Sequence, residues 1–62
     1  MNDFGQRYLT TTEAAALRRK RVQTLRKERW RGDGPPYIRD GGRILYPLRE
    51  LERWLADHMV TG

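Results

Sequence analysis

The fold is decided by residues 34–47, which read GPPYIRDGGRILYP. Two short runs rich in β-branched and aromatic residues, 37–39 and 43–46, flank the turn 40–42, where glycine accepts the positive φ that tight hairpins need. This pattern predicts a β-hairpin. Because a lone two-stranded hairpin is marginally stable in water, one face must pack on helices. We expect the inward side chains to be Ile38, Ile44 and Tyr46, with Leu45 outward.

A helix is predicted directly after this hairpin. Pro47 suits the first helical position, where its missing N–H costs nothing. Leucines and one tryptophan then recur at helical spacing and form an apolar stripe, at Leu48, Leu51, Trp54 and Leu55. The charges of this helix nearly cancel, so we interpret it as a core-building element with Trp54 in the core. Residues 59–62 are expected to fray as a tail.

A helical region is predicted before the hairpin. Gly32 suits a left-handed helix end and the following prolines cannot continue a helix. Trp30 and Tyr37 flank this Gly-Pro-Pro loop and are expected to pack on it. The region starts at Thr10, because Glu13 three residues later completes a capping box. Residues 1–8 lack periodicity and are expected to be a flexible arm, which leaves one folded domain over 9–58.

The stretch between Glu13 and Arg31 allows two interpretations. It contains no Gly, Pro, Asn, Asp or Ser, and its apolar residues fall in one broad helical stripe, at Ala14, Leu17, Val22 and Leu25. One interpretation is a single long helix over about 11–30. The other is two helices joined by a tight turn near 19–21.

Positive charge is concentrated in residues 18–31. The chain has 13 Lys and Arg against 8 Asp and Glu, a net charge of +5. This window alone carries +7, and the remainder carries −2, because Glu28 is its one acidic residue. Such a concentration is typical of a surface that binds a polyanion. The alternative is a solvated helix face without a partner. The basic residues are Arg18, Arg19, Lys20, Arg21, Arg26, Lys27, Arg29 and Arg31.

Composition argues against several classes of function. The 62 residues include no cysteine and a single histidine, so neither a thiolate metal site nor a disulfide is expected. We find no nucleophile–base set and no phosphate-binding loop, and we expect no catalysis, no cofactor and no metal. The apolar runs are too short to span a membrane, and residues 1–6 do not resemble a signal peptide. We therefore expect a cytoplasmic, nucleoid-associated protein.

Three stretches resemble the excisionase family of small MerR-like winged helix-turn-helix proteins: residues 8–15 (YLTTTEAA), 34–46 (GPPYIRDGGRILY) and 51–55 (LERWL). The resemblance implies a mainly α fold with a small β-hairpin, in the order helix, helix, hairpin wing, helix. It also implies a recombination directionality factor that bends duplex DNA and biases an integrase, a tyrosine or serine recombinase, toward excision. The family usually has a glycine or serine in the turn between its first helices, where this chain reads RRKR at 18–21.

Each part of the chain has an expected contact with DNA. In the two-helix interpretation, the second helix enters the major groove with Val22 and Leu25 turned inward. The expected base contacts are Gln23, Thr24, Arg26 and Lys27. The expected phosphate contacts are Arg18, Arg19, Lys20, Arg21, Arg31, Thr11 and Thr12. The expected wing is Arg39, Gly41, Gly42 and Arg43, although Gly41 and Gly42 are equally explained by a tight turn alone.

Other partners are also considered. A single winged helix covers few base pairs, so we expect head-to-tail self-association on tandem sites, with Leu45, Met59 and Val60 as candidate contacts. A transcriptional regulator with the same fold is an alternative function. From another class, the chain could be a basic adaptor that binds an acidic protein; binding to a membrane is not expected, because large apolar residues opposite the charges are lacking.

Overall fold

The structure, a computed structural model, describes residues 7–60 and contains three helices and a small antiparallel sheet. The helix, helix, hairpin, helix order predicted from the sequence is confirmed, and the architecture is that of a winged helix. Residues 1–6 of the predicted arm and 61–62 of the tail lie outside the described residues. The elements are β1 (Tyr8–Leu9), α1 (Thr11–Arg18), α2 (Val22–Arg31), β2 (Ile38–Asp40), β3 (Arg43–Pro47) and α3 (Leu48–Asp57).

The described part of the sheet has three strands rather than the two that were predicted. β1 pairs antiparallel with β3 on the side opposite β2, with Tyr8 facing Pro47 and Leu9 facing Tyr46. Tyr8, which was expected to belong to a flexible arm, is therefore part of the sheet. A strand of two residues is too short to show an alternating pattern in the sequence. β1 is a strand only because it pairs with the free edge of β3.

The register of β2 and β3 corrects one expected core residue. Ile38 lies opposite Leu45, so both side chains share the outer face of the sheet, and Ile38 is 41% exposed. Leu45 is outward, as expected. The inner face instead carries Ile44, Tyr46 and Tyr37, whose ring lies 6.0 Å from that of Tyr46 between centroids. Tyr37 thus occupies the inward place that was predicted for Ile38.

The core lies where α1, α2 and α3 meet the inner face of the sheet. Its buried members are Leu9, Ala14, Ala15, Leu25, Tyr46 and Leu51. Leu17, on the apolar stripe of α1, is 50% exposed, because Ala15 takes the inward position. The expectation that Trp54 lies in the core is wrong, since Trp54 is only half-buried and its ring lies against Arg18 and His58.

A tight turn at residues 19–21 separates α1 from α2, which settles the open question in favour of two helices. Arg19 adopts a left-handed conformation with φ of 57° and ψ of 43°. Its N–H donates to the carbonyl of Ala16 (3.1 Å), and that of Lys20 donates to Ala15 (2.9 Å). The carbonyls at the end of α1 are thereby satisfied by a cap that normally uses glycine.

The remaining helix boundaries follow the sequence signals to within one residue. Thr10 and Glu13 form the predicted capping box, with hydrogen bonds of 2.9 and 3.1 Å. Gly32 ends α2 in the left-handed region, with φ of 80°. Pro47 is the N-cap of α3 rather than its first residue, so that helix begins at Leu48, one position later than predicted.

Candidate nucleic-acid interface

The outer face of α2 carries three of the four residues expected to contact bases. Leu25 is fully buried and Val22 packs beside it, which fixes the rotation of the helix. Gln23, Arg26 and Lys27 are consequently exposed. At 3.6 residues per turn they share an arc of about 100°. Thr24 is half-buried on the flank of this arc, so the structure places it beside the other three rather than among them.

The turn between the helices presents a cluster of cations beside the start of α2. Arg19, Lys20 and Arg21 are all exposed. Arg21 is the N-cap of α2, and its side chain makes no capping hydrogen bond to the helix. The first N–H groups of a helix carry partial positive charge and lack partners within the helix, so they attract anions. Positive charge from the turn and the positive end of the helix therefore coincide at the start of α2.

Arg18, which was expected to contact a phosphate, does not belong to that cluster, because its side chain is engaged within the fold. Its two terminal nitrogens donate to both oxygens of Glu28, at 2.7 and 2.9 Å, and only 6% of the Arg18 side chain is exposed. Its guanidinium also lies 4.9 Å from the centroid of the Trp54 ring. The hydrogen bond to Glu28 raises the pKa of Arg18, and burial opposes this rise. Arg18 therefore ties α1 to α2.

Glu28 has a structural role that was not predicted from the sequence. It is buried on α2, and only 12% of its side chain is exposed. The chain passes so close that a Cβ atom added to Gly34 would lie 2.7 Å from the Glu28 Cβ. A signal for this role was available, since Glu28 is the lone acid of the basic window and follows Leu25 by three residues, on the same helix face.

Arg29 is a second cation directed toward the interior. Its Nη1 donates to the Tyr46 hydroxyl at 2.7 Å and to Thr11 Oγ1 at 3.4 Å. The guanidinium also lies 5.7 Å from the Tyr37 ring and 6.0 Å from the Tyr46 ring, between its carbon and the ring centroids. Arg29 thus attaches α2 to the sheet and to the start of α1.

Three further residues were expected to contact phosphates, namely Arg31 at the end of α2 and Thr11 and Thr12 at the start of α1. Arg31 is about half exposed and forms an ion pair with Asp33 at 2.9 Å, which leaves its side chain accessible to solvent. Thr12 is exposed at the start of α1, and the Thr11 hydroxyl accepts the hydrogen bond from Arg29. Thr11 can still donate to a phosphate through its hydroxyl hydrogen or through its backbone N–H, one of the first in the helix.

The wing is a tight hairpin whose strands are closed by the pair Asp40 and Arg43. Gly41 has a φ of 62°, whereas Gly42 lies outside the left-handed region. A positive φ at the first central residue alone is typical of a type II′ turn, which matches the twist of the strands. Arg39 and Arg43 are exposed but point to opposite faces of the hairpin, since their places along the strands alternate.

Trp30 is exposed to solvent instead of packed on its expected partner. It was predicted to cover the Gly-Pro-Pro loop, yet 88% of it is exposed at the C-terminal end of α2. The loop approaches Glu28 through Gly34 instead. Trp30 follows Gln23 by seven residues, about two helical turns, so both belong to the same stripe. This spacing is visible in the sequence and would have placed Trp30 on the outer face.

Residues 7–60 contain neither a cluster of metal ligands nor a helix of membrane-spanning length and apolarity. Within 7–60, acidic and histidine side chains nowhere gather in the groups of three or more that could hold a metal ion. No helix in this part of the chain is long and apolar enough to cross a membrane.

Comparison with known proteins adds one finding to this geometry. A family model described as a helix-turn-helix domain matches residues 8–59, which spans all of the strands and helices. No curated protein and no solved structure matches the chain.

Proposed function

The chain belongs to the helix-turn-helix domain family, a DNA-binding family that includes excisionase-like proteins, and we propose that it binds duplex DNA with α2 in the major groove. The observation that supports this most directly is the composition of the outer surface. Arg18 and Arg29 are used to hold the fold together, whereas Arg26 and Lys27 on α2 and the cations of the 19–21 turn are exposed. A polyanion is the partner whose charge complements such a surface.

Within this proposal, the residues divide by what they can recognise. Gln23 suits adenine, whose N6 and N7 it can contact together, and Arg26 or Lys27 suits guanine O6 and N7. Thr24 makes a further base contact from the flank of the same arc. The cations of the turn bind phosphates, which position the protein without reading sequence, and Arg31 and the first N–H groups of α1 at Thr11 and Thr12 assist them.

The wing makes the second contact in this proposal. Its tip, Gly41 and Gly42, has no side chains that would prevent a close approach to the DNA backbone. Arg43 or Arg39 then enters a neighbouring minor groove, where a narrow groove concentrates negative potential. Because the two arginines face opposite sides of the hairpin, only one of them serves this contact in a single complex.

For the biological role, we propose an excisionase-like architectural factor that bends its site and assists an integrase. The family and the resemblance of residues 34–46 support this role. Head-to-tail association of several copies would extend a footprint that a single module covers poorly. Leu45, on the outer face of the sheet, and the exposed Met59 and Val60 are the residues proposed for contact between copies.

The DNA-binding proposal is tested by selecting duplexes from a random pool and measuring affinity for a selected and a scrambled site. Replacing Gln23 with Ala should reduce the preference for the selected site about tenfold, as expected for a lost base contact. Lys20→Ala is the matched control at an exposed turn position. It should weaken binding to both duplexes equally and lower the salt dependence by about 0.9. Equal losses of preference in both variants would refute the division of roles.

The architectural role is tested separately by placing the selected site at different positions along otherwise identical fragments. Position-dependent mobility of the complexes in a gel would indicate a bend and support the excisionase-like role. Tight complexes with no such dependence would contradict that role and favour a regulator that does not deform its operator. A footprint the size of one monomer, without cooperativity, would contradict the association between copies.

A further inference from the structure

Trp30 has no structural role that accounts for its presence. Tryptophan is among the most highly buried residue types on average, and leaving it in water forgoes a large hydrophobic contribution. Yet 88% of Trp30 is exposed, in the last turns of an ordered helix. Trp54, by contrast, is half-buried between Arg18 and His58. The exposed ring is therefore available to a partner.

The position of Trp30 indicates which partner that is. Its side chain lies on the same stripe of α2 as Gln23, about 10 Å farther along the helix axis. One turn earlier, the exposed Arg26 and Lys27 flank the stripe on either side, and the exposed Arg31 follows. A partner that covers the ring must also accommodate these cations, so it must be anionic and also offer apolar groups.

We propose that Trp30 is an apolar DNA contact, and that its ring packs on the thymine methyl or deoxyribose groups that line the major groove. Duplex DNA combines a dense array of phosphates with these apolar groups, and thymine presents its C5 methyl in the major groove. The inference depends on the proposed function, because it requires α2 to lie in that groove. It adds an apolar contribution to an interface otherwise built from charge and hydrogen bonds.

Intrinsic fluorescence tests the contact directly. In Trp54→Phe, Trp30 is the only tryptophan, and its accessibility to acrylamide is measured with and without a saturating 20-base-pair duplex. The account predicts that the quenching constant of Trp30 falls several-fold in the complex. In the reciprocal variant Trp30→Phe, the signal of Trp54 should barely change, since that ring faces Arg18 and His58.

The outcomes separate this inference from the proposed function. If anisotropy of a labelled duplex shows binding while Trp30 stays fully accessible, the inference is overturned and DNA binding by the family fold still stands. If the duplex does not bind at all, the proposed function fails, and the inference fails with it. Protection of Trp30 by an acidic peptide but not by duplex would overturn both in favour of a protein partner.

Affinity provides a second, independent measurement. Trp30→Ala should weaken duplex binding about tenfold, comparable to the loss of a buried apolar side chain. Its salt dependence should stay unchanged, since no charge is removed. Lys20→Ala, which removes a proposed phosphate contact, should instead lower the slope of log K against log salt by about 0.9. Leu17→Ala, which removes an exposed apolar side chain from α1, is the control and should retain the affinity of the parent.

The source of the apolar group is distinguished with uracil-containing DNA. Replacing thymine with uracil removes the methyl group and preserves base pairing. If Trp30 contacts thymine methyl groups, this replacement weakens the parent protein but not Trp30→Ala. If it contacts deoxyribose, both proteins bind the two duplexes alike while the loss caused by Trp30→Ala persists. Equal affinity of Trp30→Ala and the parent for duplex would overturn the proposal.

Discussion

At the scale of the residue, adjacent cations of one basic segment have different fates. Arg18 is buried against Glu28, whereas Arg19 beside it is exposed. The sequence predicted the concentration of positive charge but not which of these side chains are buried. Adjacent positions on a helix differ in direction by about 100°, and the turn at residue 19 makes the direction of side chains on α2 independent of α1. Which of them are buried depends on where Leu25 anchors α2 in the core.

We predict that Glu28→Gln destabilises the protein by about 1–3 kcal/mol, because Arg18 stays buried beside a neutral partner. Urea denaturation followed by circular dichroism measures this change. Asp33→Asn is the matched control, since it neutralises the acid of the exposed pair with Arg31, and it should cost less than about 0.5 kcal/mol. Similar effects of both changes would show that the buried pair contributes no more than the surface pair.

A second prediction concerns the approach of the loop to α2. Gly34→Ala should lower stability by about 1–3 kcal/mol, because its Cβ would lie 2.7 Å from Glu28 Cβ, an atom that cannot move away without shifting the helix. Gly42→Ala is the control, as nothing lies within 4 Å of the added atom. The thermal midpoint of each variant provides the comparison, and an unchanged midpoint for Gly34→Ala would contradict the close packing.

At the scale of the element, the sequence was most informative where the ends of helices have distinctive chemistry. The capping box at Thr10 and the glycine cap at Gly32 were both predicted and are present. The turn between α1 and α2 could not be predicted, because the left-handed position is occupied by Arg19 and not by the glycine or asparagine that usually indicates such a turn. β1 was missed for a different reason, since its two residues pair only with the edge of a strand distant in sequence.

The strained cap leads to a third prediction. Arg19→Gly should raise stability by about 1 kcal/mol, because glycine adopts the left-handed conformation without the steric cost of a Cβ atom. Lys20→Gly removes the same charge at the next position, which is not left-handed, and should lower stability through the greater freedom of the unfolded chain. Chemical denaturation of both variants checks the opposite signs. Two losses would contradict the account of the turn.

At the scale of the whole molecule, the interior and the outer surface use the basic residues in different ways. Two arginines join α1, α2 and the sheet, and the exposed cations of α2, the turn and the wing remain for a partner. The fold class was predictable from the pattern of apolar residues and from the residues that favour turns. The interface was predictable only as a region, because the exposure of Trp30 and the burial of Arg18 follow from tertiary packing.

The salt dependence of duplex binding tests the central claim most directly. Anisotropy of a labelled duplex, titrated with the full chain at several salt concentrations, gives log K against log salt. We predict a steep linear decrease of about 0.9 for each phosphate neutralised, and hence a slope of about −3 or steeper if the cations of the turn, α2 and the wing bind together. Absence of binding, or an affinity that salt leaves unchanged, would contradict the account.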